Sequence, residues 1–354
     1  MSHTHRTSSP QGRGRRIRRV ILLSLLALVL AAGGTAWWLY TGLDGNLKKG
    51  AVDLDKALGD DKNRPAREAE AGDALNLLLL GSDSRAGANA ALDGAKVSGA
   101  RSDTALLVHI AKGRGRAVAV SIPRDTLVTR PECTRADGTV VPSQRRVMFN
   151  SVFSQVGTAC TVKTVEQLSR VRVDHLVVVD FAGFKGIVDA IGGVTVTLDK
   201  PVITDKLDLD AGPHRLDGTQ SLQLVRTRYG YGDGSDLGRI GLQQKFLIAL
   251  LGEIEKQDLL GSPAKLYRIA DTLTASLTTD SDLASLTALA TFGRSIQGVD
   301  PSAMETVMLP VRYDKADPNR VVAAEPQAAD LWKAIRTDTP IPESAKKSPA
   351  HGTS

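Results

Sequence analysis

Cysteine, histidine and aromatic residues are scarce in this sequence: 354 residues hold 2 Cys and 6 His, and Phe, Trp and Tyr together make up 4%. The histidines are scattered and neither C-x-x-C nor H-E-x-x-H occurs, which argues against a zinc centre. A G-x-x-x-x-G-K-[ST] loop is also missing. The glycines at 230, 232 and 234 lie late in the chain, so a nucleotide-binding P-loop is not supported. What remains, 42% hydrophobic and 24% charged, is a globular composition long enough for one large domain or two small ones with a real core.

Acidic residues are absent from positions 1–19, where Arg6, Arg13, Arg15, Arg16, Arg18 and Arg19 accumulate. Without those arginines the 45 basic residues fall level with the 39 acidic ones, so the net charge of +6 belongs to a short arm and not to a domain face. Nucleic acid is therefore not an expected partner. The arm runs into Val20–Leu43, an uncharged stretch of about 24 residues, sufficient for a tilted helix to cross a bilayer core of roughly 30 Å. Arginines before it predict a cytoplasmic N-terminus and a body on the far side, and Trp37, Trp38 and Tyr40 suit the far interface. A cleaved signal peptide shares this layout, but the length of the run and its aromatic end favour an uncleaved anchor. Outside the cytoplasm, Cys133 and Cys160 read as a disulfide, two independent thiols being the other reading.

Residues 44–73 are polar with sparse apolar positions and read as a stalk. Beyond them come short aliphatic runs bounded by Gly, Pro and Asp: Leu75–Gly81, Thr104–Ala111, Ala117–Pro123, His175–Phe181 and Val194–Leu198, with another near Met308. They read as strands, the first four apolar enough to be buried on both faces. Helical patterns occupy residues 161–171, 181–193 (stopping on Gly192 and Gly193), 217–228, 237–256, 262–276 and 281–296. Strands covered by helices on both faces make an α/β/α sandwich, here spanning residues 74–338. Residues 339–354, rich in Pro, Ser and Lys, read as a disordered tail.

Polar clusters stand at the ends of these elements. They are GSDSR (81–85), RSDT (101–104), IPRD (122–125), FNSVF (149–153) and the stretch Leu224–Gln244. Ligands of open α/β sheets bind outside strand ends. Convergence there would gather Arg85, Arg101, Arg124, Arg226, Arg228 and Arg239 with Asp83 and Asp103. Six arginines repel one another unless an anion joins them, and the guanidinium fork matches phosphate oxygens. Two carboxylates among them suit Mg²⁺, which takes one or two carboxylates plus phosphate oxygens. Each cluster alone has a plain structural reading: Arg124 with Asp125 and Arg101 with Asp103 as ion pairs, the glycine loop as a tight turn, Arg226 and Arg228 as a solvated helix face. Their joint occurrence, in this order, favours the phosphate reading.

The ordered set LLLLGSDSR, RSDTALLVHI, VSIPRDT, FNSVF, VDFAGFKGIVDAIGGVTV, LDGTQSLQLVRTR and DLGRIGLQQ resembles the LytR-CpsA-Psr family of cell-wall glycopolymer ligases, over roughly residues 75–250. The resemblance implies an α/β/α sandwich with a central mixed β-sheet, preceded by one N-terminal transmembrane helix, with the domain facing the cell wall. It implies transfer of a glycopolymer phosphate from a polyprenyl-pyrophosphate carrier to peptidoglycan, with pyrophosphatase activity when water replaces the acceptor. By motif, Asp83 and Asp103 would hold Mg²⁺. Arg85, Arg101, Arg124, Arg226, Arg228, Arg239 and Gln243 would contact the pyrophosphate, with Arg124, Arg239 and Asp103 central to catalysis. Val179, Phe181, Phe184, Ile187, Val188 and Ile191 are candidates for a lipid tunnel, ordinary core being the other reading at these spacings. Asp125, Asp233 and Asp236 are candidates for the general base, an orienting partner for an arginine being the other reading of Asp125. The family commonly ends its last motif Gly-Arg-x-x-Arg-Gln-Gln, whereas Leu242 stands here in place of the second arginine. That departure motivates the alternative of a non-catalytic polyprenyl-pyrophosphate binder.

Overall fold

The computed structural model describes residues 11–59, 64–82, 102–135, 137–227, 236–256 and 262–347, without the side chains of residues 11–25, 27, 102–103, 236–239, 263–265 and 302. One long helix, α1 (Gln11–Lys49), and a short one, α2 (Leu54–Leu58), lead into β1 (Leu75–Ser82), β2 (Ser102–Ile110) and β3 (Ala117–Ser121). Four short strands follow: β4 (Leu127–Arg130), β5 (Cys133–Thr134), β6 (Val140–Val141) and β7 (Gln144–Met148). Helices α3 (Phe149–Val156) and α4 (Thr158–Ser169) precede β8 (His175–Asp180) and α5 (Phe181–Ala190). Then come β9 (Val194–Leu198), β10 (Val202–Ile203), β11 (Asp208–Leu209), β12 (Gly212–Leu216), α6 (Gly218–Arg226), α7 (Asp236–Glu255) and α8 (Pro263–Ser276). The described chain closes with β13 (Leu277–Thr279), α9 (Leu286–Ser295), β14 (Glu305–Met308), β15 (Val311–Tyr313), β16 (Val321–Ala323), α10 (Gln327–Arg336) and α11 (Glu343–Lys346).

Six of these strands form the central sheet, in the order β13-β8-β1-β2-β3-β14. β8 runs parallel to β1 and β14 parallel to β3, and the other neighbours are antiparallel, so the sheet is mixed as expected. Because side chains alternate along a strand, each of the middle strands feeds two cores. Leu78, Leu80, Leu107, Val118 and Val120 pack with residues of α3, α4 and α10. Leu77, Leu79, Leu106, Val108 and Ala119 face the other way, against Leu247 and Leu251 of α7. Burial on both sides explains why these strands read as unbroken aliphatic runs, and helices on both faces complete the sandwich. Val194–Leu198 forms a strand as expected, but its pattern alternates buried and exposed, and it pairs with β12 in a separate ribbon outside the central sheet.

A third apolar cluster, around Val188, Val194, Leu216, Leu224 and Phe246, unites α5, α6, α7 and the β9–β12 ribbon. Asp180 caps the start of α5 through the Gly183 amide at 2.7 Å. The helix stops at Gly192 and Gly193, both at positive φ. A Cβ at Gly193 would lie 2.9 Å from the Leu216 carbonyl oxygen, so glycine is required where the chain turns back against β12.

Two boundaries differ from the sequence reading. The supposed stalk packs against the domain from its start: Leu47 is fully buried, Asp44 accepts from the Leu286 amide at 3.1 Å, and Leu54 and Leu58 belong to the main core. Sparse apolar positions sufficed because Leu47, Val52, Leu54 and Leu58 all pack inward. Residues 339–347, expected to be a tail, also pack, with Ile341 and Ala345 buried and Lys346 paired to Glu305 at 2.8 Å. Residues 348–354 lie outside the described residues. Among the described residues no helix is long and apolar enough to cross a membrane. The stretch Val20–Leu43 begins within the part of α1 whose side chains are not described, and from Leu28 to Trp38 its large apolar side chains are exposed.

Cys133 and Cys160 form a disulfide joining β5 to α4, both buried in the main core. It closes a loop with a sequence separation of 27, which in the chain-entropy model stabilises the fold by about 3 to 4 kcal/mol. Cys160→Ser is therefore expected to lower the unfolding free energy in urea by about 3 kcal/mol. A midpoint and slope unchanged from the parent would show that the bridge contributes little.

Candidate functional site

The register of the central sheet brings the expected motifs to one end. β1, β3 and β8 all finish there, at Ser82, Ser121 and Asp180, and antiparallel β2 begins there at Ser102. Pairing of Gly81 with Thr104 and of Ser82 with Ser102 sets the backbone leading into Asp83 alongside Asp103. Asp83, Arg85, Arg101, Arg228 and Asp233, together with the side chains of Asp103, Arg239 and Asp236, lie outside the description. Arg124, Asp125, Arg226 and Gln243 can be placed in full.

Arg124 and Asp125 occupy the turn after β3. The Arg124 carbonyl accepts from the Asn150 amide at 3.1 Å, and the Thr126 carbonyl accepts from the Phe149 amide at 2.9 Å, so FNSVF serves as the floor beneath IPRD. The Asp125 carboxylate accepts from Arg124 Nε and from Arg320 Nη1, each at 3.3 Å. Held between two guanidinium groups, the Asp125 carboxylate orients arginines. Arg320 drew no notice in the sequence because no motif surrounds it. It arrives through the turn between β15 and β16, where the Val321 amide bonds the Asp125 carbonyl at 3.3 Å. Asp314 shapes that turn by accepting from the Ala316 and Asp317 amides. The Arg146 guanidinium, bonded to both its oxygens, holds the Asp314 carboxyl below its ordinary value.

Arg226 ends α6, where a cation meets the negative end of the helix dipole. Its guanidinium lies 4.6 Å from the centroid of the Phe181 ring, which directly follows β8, so a cation–π contact fixes it at the sheet end. The Gln243-Gln244 pair, one turn after Arg239, bridges two elements. Gln243 Nε2 donates to the Val225 carbonyl at 3.0 Å, tying α7 to the end of α6, and Gln244 Nε2 donates to Ser121 Oγ at 3.0 Å, tying it to the end of β3. The pair thus ties α7, one turn after Arg239, to the end of α6 and to the end of β3. Leu242 is fully buried in the cluster of Val188, Leu224 and Phe246. In this chain the position belongs to the core, and leucine is explained there by packing.

Of the tunnel candidates, Val188 and Ile191 are buried in that same cluster and Ile187 is buried as well. Phe184 packs tilted against Phe246 at 5.2 Å, Phe181 carries Arg226, and Val179 lies in β8. Among the described residues no group of three or more His, Cys, Asp or Glu side chains is placed to hold a metal.

A protein-family model described as the LytR_cpsA_psr family matches residues 41–337. The chain belongs to the LytR-CpsA-Psr family. The polyisoprenyl-teichoic acid–peptidoglycan teichoic acid transferase TagT of Bacillus subtilis is 31% identical over 290 residues, covering 79% of this chain and 83% of that protein. The cell wall biosynthesis protein LcpA of Corynebacterium glutamicum is 28% identical over 296 residues, covering 75% of this chain and 55% of the relative. Among solved structures, the LytR-Csp2A-Psr enzyme from Actinomyces oris superposes with a TM-score of 0.58 at 23% identity, covering 82% of this chain and 97% of that one. A structure of TagT bound to LIIa-WTA superposes with a TM-score of 0.59 at 24% identity, covering 81% and 98%. These structural likenesses speak for the fold: the mixed sheet and its helices are those of the LytR-CpsA-Psr family.

If the arginines at this sheet end bind pyrophosphate, Arg320→Ala is expected to raise the Kd for inorganic pyrophosphate about tenfold at low salt, since Asp125 loses one of the two guanidinium groups that hold it against Arg124. The melting temperature should fall by no more than about 4 °C. Calorimetric titration beside a thermal scan checks this, and an unchanged Kd would confine Arg320 to a structural role.

Proposed function

We propose that the chain transfers a glycopolymer phosphate from a polyprenyl-pyrophosphate carrier to peptidoglycan. The reading is supported by Arg124 with Asp125 and Arg226 on Phe181 at one sheet end, and by Gln243 and Gln244 tying the helix that bears Arg239 to the ends of α6 and β3, in a chain of a family whose named members include teichoic acid transferases. The acceptor hydroxyl oxygen attacks the sugar-proximal phosphorus. The pyrophosphate P–O bond to the carrier side breaks and polyprenyl phosphate leaves, while the hydroxyl proton passes to a base. Such a reaction needs positioning and charge stabilisation more than covalent help. Arg226 and Arg239 would grip the phosphoryl oxygens, and Arg124, aligned by Asp125, would stabilise charge growing on the leaving phosphate. Phe181, half-buried beneath Arg226, and Phe184, half-buried on the same helix, would guide the first isoprene units of the carrier.

Magnesium belongs to the same proposal. Asp83 and Asp103 would hold it, and it would neutralise pyrophosphate charge. Support comes from the strand register that sets the backbone before Asp83 beside Asp103, and from the hard oxygen donors both residues offer. We further propose that Val20–Leu43 anchors the chain in the cell membrane with its N-terminus cytoplasmic, so that the domain faces the wall. The exposed apolar surface of α1 and the basic arm before it support this. With Leu242 explained as core, nothing specific favours the non-catalytic alternative.

The test is phosphate release or glycan transfer by the full chain in detergent, on a polyprenyl-pyrophosphate donor. Turnover should vanish in EDTA and return with Mg²⁺. Arg239→Ala should lower kcat by about 100-fold or more while the melting temperature holds. Wild-type turnover in the arginine variant would overturn the assignment, and turnover persisting in EDTA would remove the metal from it.

A further inference from the structure

A cavity of about 470 Å³ opens beside Arg226, between α5, the turn from β10 to β11, and the outer face of α6. Lys185 and Lys206 line it, and among the described residues neither ammonium forms an ion pair or a hydrogen bond. Asp205 is the one acid among the described lining residues, and it pairs with neither lysine. Thr219 and Gln223 add a hydroxyl and an amide from α6, of the kind that bond sugar hydroxyls.

The walls are fixed rather than soft. The Gly218 amide donates to Asp189 Oδ1 at 2.7 Å, and a Cβ at Gly218 would fall 2.4 Å from the Lys185 carbonyl oxygen, so α6 is seated directly on α5 at the residue that supplies one cation. Lys206 rides on a turn closed by Thr204, whose hydroxyl accepts from the Lys206 and Leu207 amides at 3.2 and 2.9 Å and whose amide donates to the Leu207 carbonyl at 2.7 Å. Two lysines on a fixed backbone, against one acid and with no ion-pair partner among the described residues, describe a site for an anion. The volume is that of a small-molecule pocket and exceeds what a lone phosphate fills.

We propose that this cavity is a subsite for a phosphate-bearing segment of the glycan being transferred. The inference rests on the transferase reading. Arg226 links the two regions, because it both lines the cavity and stacks on Phe181 at the sheet end. A donor whose pyrophosphate lies against Arg226 delivers its glycan side to Lys185 and Lys206. The chain therefore selects a glycan carrying negative charge near its linkage over a neutral one, and the selection weakens with salt.

The first test measures binding of oligo(glycerol phosphate) to the full chain in detergent by titration at low salt. Lys185→Ala combined with Lys206→Ala is expected to raise Kd about tenfold, and Lys185→Arg with Lys206→Arg to restore most of it. A Kd indifferent to both pairs of substitutions, or equally tight binding of a neutral glucose oligomer, overturns the proposal. The second test is turnover. The alanine pair should lower kcat/KM for a donor with a phosphate-rich glycan about tenfold relative to glycan-free polyprenyl pyrophosphate. An equal loss on both donors would assign the lysines to the pyrophosphate itself and sink the subsite. Wild-type protein that turns over neither donor yet binds the oligomer through the lysines would instead remove the transferase reading, so the two failures are distinguishable.

Discussion

A sheet that is apolar on both faces can carry charge only where its strands stop. That constraint organises this molecule. Leu78, Leu80 and Val120 on one side and Leu77, Leu79 and Ala119 on the other leave no lateral surface for guanidinium groups, so the arginine motifs are driven to the strand termini. Repulsion among like charges concentrated at one edge opposes folding, and the doubly buried sheet supplies the stability that tolerates it. The supporting bonds follow the same logic. Asp125 sits between two guanidinium groups, Phe181 lies under a third, and both glutamines of α7 reach across to neighbouring elements.

The central strands were legible because continuous aliphatic runs bounded by Gly, Pro and Asp suit little besides a strand buried on both faces, and β1, β2, β3, β8 and β14 stand close to their expected places. The same reasoning identified Val194–Leu198 as a strand but not its sheet, since local pattern says nothing of pairing partner. It failed at both ends of the domain for one reason: a segment rich in polar residues was equated with an unpacked one. Leu47, Leu54, Leu58, Ile341 and Ala345 show that a few well-placed apolar side chains dock such a segment. Of the site, motif arginines could be named in advance because they come with neighbours of fixed type. Arg320 could not, since its role depends on a hairpin far along the chain folding back onto Asp125. Leu242 was visible as a departure, while its burial, and hence its ordinary reason, required the fold.

Position matters as much as chemistry for the arginines. Arg124 and Arg226 come from elements about a hundred residues apart in sequence and share one end of the sheet only because β3 and β8 finish on the same side. Each is held by a different interaction, an ion-paired carboxylate for one and an aromatic ring for the other. Changes to one support need not disturb the other, so the two sides of the proposed pyrophosphate site could be tuned independently.

The helix that opens the chain bears on what the domain can reach. α1 runs without interruption from its exposed apolar stretch into the turn where Leu43 and Leu47 are buried and Asp44 caps α9. A coil at that join would let the domain swivel and would set its height by chain entropy. A helix advances about 1.5 Å per residue and resists bending. Taken with the proposed membrane span, the pocket is carried like a tool on a stiff shaft, at one altitude and in one attitude above the bilayer. On that proposal a lipid-borne donor would diffuse laterally to a mouth of fixed height, and only strands of the wall lying within that thin layer would be in reach as acceptor.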